Sequence, residues 1–132
     1  MNSQFAEHLP ESWCRATNFF SALGDPYRQK ILLLFEPREE LCVNQIAALF
    51  ALSRPAISHH LKIMRDAGLL QRQKRGKEVY YRVNDEYCLA MLQSTARYIA
   101  GRRAAAAVDE AGESAGPVRH PMAAAGQNRF GQ

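Results

Sequence analysis

The chain has 132 residues, 47% of them hydrophobic and 23% charged, which suits one domain with a modest core and an ordinary globular composition. No apolar run approaches the ~18 residues of a membrane span, and the first residues lack the basic-then-apolar order of an export signal, so a cytoplasmic protein without a membrane partner is expected. The net charge is +4, yet Ser53 to Arg82 holds eight basic side chains against Asp66 and Glu78, a local +6 that leaves the remainder at −2 and marks a polyanion partner.

Residues 1–10 have no periodicity and end at Pro10, so they read as a flexible arm. From Glu11 to Leu23, Trp13, Ala16, Phe20 and Leu23 recur at helical spacing, and Gly24 closes the segment. Asp25-Pro26 supplies a cap and a proline in the first position for a second helix, with Ile31, Leu32, Leu34 and Phe35 mostly buried. Residues 36–40 form a polar turn, and Leu41-Cys42-Val43 suits a strand of a single rung. Asn44 then offers a cap for a third helix, Gln45 to Phe50. After only Ala51, Leu52 and Ser53 a fourth begins.

That fourth helix organises the rest. Ser53 can cap it, Pro55 is tolerated in its first turn, and Gly68 supplies a left-handed stop, which predicts a helix from about Arg54 to Ala67. Ile57, Leu61 and Met64 fall on one stripe, whereas Ser58, His59 and Lys62 lie opposite with Pro55. A solvated face would carry Glu and Lys in i,i+4 pairs; this one offers hydroxyls, an imidazole and cations, which suit base edges and phosphates. Two short helices so tightly linked make a helix-turn-helix, whose second helix enters the major groove. Ser53, Arg54, Pro55, Ala56, Ser58, His59 and Lys62 are therefore the candidate contacts to double-stranded DNA, with Ser58 and His59 reading bases and Arg54 and Lys62 reaching phosphate or guanine. His60, beside the core stripe, reads as a half-buried structural residue.

Leu69 to Lys74 and Glu78 to Val83 alternate or carry β-branched and aromatic residues, with Arg75-Gly76-Lys77 between them as a turn. The result is a β-hairpin with a basic tip, in which Arg72, Lys74, Arg75 and Lys77 are candidates for phosphate or minor-groove contact. Tyr80 and Tyr81 read as packing residues. A fifth helix extends from about Glu86 to Arg102 or Arg103. Its stripe Leu89, Leu92, Ala96 and Ile99 suits burial against a twin subunit, since two half-sites bind far more tightly than one. Residues 104–132 turn to Ala, Gly, Pro and Gln and read as a disordered tail, with the fifth helix fraying through Ala104 to Ala107.

Taken together, Ala22-Leu-Gly-Asp-Pro-Tyr-Arg-Gln-Lys-Ile31, Glu40-Leu-Cys-Val43, Leu52-Ser-Arg-Pro-Ala-Ile-Ser-His-His-Leu-Lys62, Ala67-Gly-Leu69 and Gly76 to Arg82 resemble the ArsR/SmtB family of bacterial winged-helix repressors. The resemblance covers residues 12–100 and implies a mainly α fold with a small β-hairpin (α+β). It implies a winged helix-turn-helix of five helices plus a wing at Leu70 to Val83, within one domain at 11–103. Dimerisation through the first and last helices then involves Trp13, Phe20, Leu89, Leu92, Ala96 and Ile99. It further implies an operator that is released when an inducer binds.

Metal-sensing members carry Cys-Val-Cys where this chain has Cys42-Val43-Asn44, and others place Asp and His on the last helix, where Asp85 to Arg103 has no histidine. Both usual metal sites are thus incomplete, because an amide is a poor substitute for a thiolate toward a soft ion. The three cysteines, an odd and scattered set, argue against a disulfide scaffold. As inert thiols they need no further role; as a sensor, Cys14, Cys42 and Cys88 would hold arsenite or another thiophilic metal ion, or oxidise. No Gly-rich phosphate loop, nucleophile elbow or His-Glu-x-x-His stretch points to an enzyme. The expected function is a homodimeric repressor released from its operator by an inducer. The alternatives are a family regulator without metal sensing, or a protein-interaction module that keeps the fold.

Overall fold

In the computed structural model, which describes residues 1–110, a 3₁₀ turn (Ser3–Ala6) precedes α1 (Glu11–Leu23), α2 (Pro26–Leu34), β1 (Leu41–Cys42), α3 (Val43–Ala47) and α4 (Arg54–Asp66). The hairpin β2 (Leu70–Arg75) and β3 (Glu78–Val83) and the long α5 (Asp85–Glu110) complete it. These residues fall into two units: Thr17–Asp85 carries the helix-turn-helix and sheet, and Met1–Ala16 joins the chain from Glu86 onward.

Local chemistry sets the helix ends. The Asp25 carboxylate accepts from the Arg28 amide at 3.0 Å, and that hydrogen bond holds its pKa below the ordinary carboxylate value. The last carbonyls of α1, which lack helical partners, are taken up by α2: Arg28 Nε donates to Ala22 O at 2.6 Å and Gln29 Nε2 to Leu23 O at 2.8 Å. Ser53 Oγ accepts from the Ala56 amide at 3.3 Å and starts α4. At its other end the Gly68 amide donates to Arg65 O and the Leu69 amide to Met64 O, the paired bonds of a Schellman motif, with Gly68 at φ 87°. A side chain at that φ is strained, so Gly68→Ala should lower stability by about 1–2 kcal/mol. Urea titration should show an earlier midpoint at unchanged slope.

Three boundaries differ from expectation. The arm is not wholly irregular, since Ser3–Ala6 makes one 3₁₀ turn. The third helix starts earlier and ends sooner than Gln45 to Phe50, because Gln45 Oε1 reaches back to the Cys42 amide at 2.8 Å and caps it there, leaving Asn44 inside the helix. Leu49 and Phe50 instead close tighter turns onto the Ile46 and Ala47 carbonyls. Lastly, α5 runs past Arg103 to Glu110, since one Gly101 costs only ~1 kcal/mol and Ala104–Ala107 are the best helix formers available. The expected disordered tail beyond that point, residues 111–132, lies outside the described residues.

The sheet is antiparallel in the order β1-β3-β2. Leu41 and Cys42 pair with Tyr81 and Tyr80, so the expected single rung is a true strand edge. Within the hairpin Arg75 faces Glu78, leaving Gly76-Lys77 as a two-residue turn with positive φ only at Gly76, the type II′ pattern. The core of this unit is Phe19, Ala22, Ile31, Ile46, Leu69, Leu70, Tyr81 and the predicted α4 stripe, Ile57, Leu61 and Met64, all buried.

Candidate nucleic-acid interface

With Ile57, Leu61 and Met64 turned inward, the opposite side of α4 is left to solvent: Ser53, Arg54, Pro55, His59 and Lys62 are exposed, and Ala56 and Ser58 half-buried. His60, one step of ~100° from His59, is turned toward α2. Its Nδ1 lies 3.3 Å from Arg28 Nη1 and 3.9 Å from Asp25 Oδ2. The ring also stacks on Tyr27 with centroids 6.0 Å apart, as a structural histidine would. Arg28 is thus bonded to the end of α1 and to α4 at once.

Lys62 is not a free cation. Its Nζ lies 2.9 Å from Asp66 Oδ2, and Arg65 Nη2 lies 3.1 Å from Asp66 Oδ1; the Lys62 and Arg65 hydrogen bonds draw the Asp66 pKa downward. Both partners are well exposed, so the pair is weak and a phosphate can compete for the ammonium. Arg54 Nε donates to Asn44 Oδ1 at 3.0 Å, a bond between the two helices of the motif.

Alternation along β2 sorts the wing cations onto two faces. On one, Arg75 is fully engaged: Nη1 meets Glu40 Oε2 at 2.5 Å, Nη2 donates to Gln73, and the guanidinium sits 5.1 Å from the Tyr80 ring centre. The Glu40 hydrogen bond raises the Arg75 pKa. Arg82 Nε donates to Gln71 on the same face at 2.9 Å. On the other, Arg72 and Lys74 line with Arg65 an open hollow of about 490 Å³ beside the end of α4. Arg72, Lys74 and the tip Lys77 have no ion-pair partner among the described residues. Glu40, Asn44 and Asp66 are the residues of this surface that sequence reasoning passed over; only Lys62-Asp66, at i,i+4, carries a signal in spacing.

In the other unit, α5 buries Met91 and Ser94 and exposes Leu89 at 56%, Leu92 at 44% and Ile99 at 49%, with Ala96 exposed between them. Trp13 packs edge-on against Tyr98 with centroids 5.1 Å apart. Phe20, near the end of α1 in the helix-turn-helix unit, is 37% exposed.

Cys42 is buried, Cys88 half-buried and Cys14 exposed, and among the described residues none of the three is in a disulfide. Among the described residues no group of three His, Cys, Asp or Glu side chains is placed to hold a metal ion. Asn44, two residues after Cys42, accepts from Arg54 Nε through its amide oxygen. Within neither unit, then, do the described residues gather three ligands for a thiophilic metal. No helix among them is long and apolar enough to cross a membrane.

Residues 25–72 match the family described as bacterial regulatory protein, arsR family. The transcriptional repressor SdpR of Bacillus subtilis is 39% identical over 67 residues, 51% of this chain and 73% of that protein. The chain belongs to the ArsR/SmtB family. A transcriptional repressor SmtB homolog from Synechocystis is 36% identical over 81 residues, 61% of each chain. An ArsR-like transcriptional regulator from Rhodococcus superposes with a TM-score of 0.67 at 27% identity, covering 80% of this chain and all of that one. Against the first curated ArsR/SmtB relatives the match spans 52–61% of their length. These family members are named as transcription regulators, not as enzymes.

Proposed function

We propose that the protein is a homodimeric repressor that holds a near-palindromic DNA operator through α4 and the wing and lets go when an inducer binds. The observation that carries this reading is the division of α4 into a fully buried apolar stripe and an exposed polar, basic side, with Arg72, Lys74 and Lys77, unpaired among the described residues, nearby. In this reading Ser58 and His59 donate to base-edge acceptors, and Arg54 and Lys62 take phosphates or guanine at the groove edge. Arg72, Lys74 and Lys77 of the wing neutralise neighbouring phosphates. Residues 11–103 carry both the DNA-binding and the dimerisation functions, and the exposed stripe on α5 is the surface where two copies meet.

The experiment is a gel-shift series over a range of salt. Replacing Ser58 and His59 together by Ala should remove the preference for the operator over unrelated duplex, a loss of about tenfold or more, with little change in non-specific binding. Lys74→Ala with Lys77→Ala should instead weaken binding to all DNA and flatten the salt slope by about one unit for each phosphate no longer neutralised. The reverse assignment would sink the model. A protein-interaction module that keeps the fold predicts no specific DNA affinity at all. For the inducer, Cys14, Cys42 and Cys88 are the groups open to arsenite, a thiophilic ion or an oxidant. Operator release that is unchanged in all three Cys→Ser variants would exclude them.

A further inference from the structure

Two arginines of the interface are held by side chains that flank β1, and they are held in opposite ways. Asn44 engages Arg54 only through Nε, at 3.0 Å, so the two Nη groups of that exposed side chain remain an open fork. Arg54 stands in the first turn of α4, where the helix dipole disfavours a cation and gives no direction to it. The Asn44 oxygen supplies that direction. Glu40 and Gln73, by contrast, take both Nη groups of Arg75, and Tyr80 covers its face, so its fork is closed. Between the two holds, Leu41 and Cys42 are paired to Tyr81 and Tyr80 of the wing. Residues 40–44 therefore grip the start of α4 and the end of β2 from a single short segment.

Stability does not account for either contact. The Glu40–Arg75 pair is part-exposed and the Asn44–Arg54 bond is on the surface, where such contacts contribute little to folding. Both arginines, however, belong to the proposed DNA-binding surface. We infer that Asn44 and Glu40 are positioning residues of opposite sense: Asn44 aims Arg54 at the duplex, and Glu40 withholds Arg75 from phosphate. This rests on the DNA-binding reading above.

The test uses the full chain and two probes of equal length, a duplex that the unaltered protein selects from a randomised library and an unrelated one. Asn44→Ala should weaken binding to the selected duplex about tenfold and to the unrelated one less than twofold. In an Arg54→Ala background the same change should do nothing further. Asn44→Asp, which keeps an acceptor at the same place, should retain the ratio between the two duplexes while lowering both affinities. Glu40→Ala, which removes the acceptor, should raise affinity for both duplexes by roughly threefold to tenfold and steepen the salt slope by about one, since it frees one cation. With Arg75→Ala in place that gain should fall below twofold. Effects that persist at full size in the Arg54→Ala and Arg75→Ala backgrounds would overturn the inference, because the two residues would then act as bulk charge or through the fold. An unaltered chain that binds neither duplex overturns the DNA-binding reading as well, so the two failures are told apart.

Discussion

Leu92→Glu should convert the proposed dimer to a monomer at micromolar concentration and reduce operator affinity by at least two orders of magnitude. Leu92 is 44% exposed in the single chain and lies on a stripe with Leu89, Ala96 and Ile99. Burying each leucine against a twin contributes about 1.5–3 kcal/mol, and two-fold symmetry places every such contact in the interface twice. A carboxylate there must either desolvate without a partner or keep the subunits apart, and the second outcome is cheaper. A monomer then meets the operator with one recognition helix instead of two and gives up the linked second half-site. Because the position faces outward in the isolated chain, the helix content of the variant should be unchanged by circular dichroism. Sedimentation equilibrium and fluorescence anisotropy on the same samples read the two effects separately. A variant that stays dimeric would move the interface away from this stripe.

What the residues disclose in advance depends on how far their reasons extend along the chain. Asp25, Ser53 and Gly68 act on backbone within a few positions, so their caps can be read directly. The α4 stripe follows from periodicity, and so does the exposed stripe of α5. The start of α3 is a closer contest. Asn44 is a good capping residue, but Gln45 reaching back to the Cys42 amide wins, and Asn44 is drawn instead to Arg54. No local rule decides between those partners, since Arg54 arrives only once the helix-turn-helix has closed. Glu40 and Arg75 are joined by sheet pairing between β1 and the hairpin, so spacing alone cannot foresee their ion pair. Arg75 therefore reads in the sequence as a free wing cation, whereas the folded chain already occupies it. The end of α5 fails for another reason: composition favours a loose tail after Gly101, while alanine propensity carries the helix on to Glu110.

Leu61→Ala and Lys62→Ala, one residue apart, should have opposite signatures. Leu61 is wholly buried in the core, so truncation leaves a cavity and should lower stability by about 2–5 kcal/mol. Against a total stability of about 5–15 kcal/mol for a domain of this kind, that is a large share, and the melting temperature should fall by many degrees. The fraction that remains folded should still recognise DNA, because the exposed side of α4 is untouched. Lys62 is exposed and tied only to Asp66 on the next turn, so its removal should change stability by no more than about 0.5 kcal/mol. It should instead weaken DNA binding severalfold and reduce the salt slope by about one. The contrast measures the rotation of α4 about its own axis, on which every proposed base contact depends. If Lys62→Ala melted the protein and Leu61→Ala spared it, the helix would present its other side, and Ser58 and His59 could not reach a base.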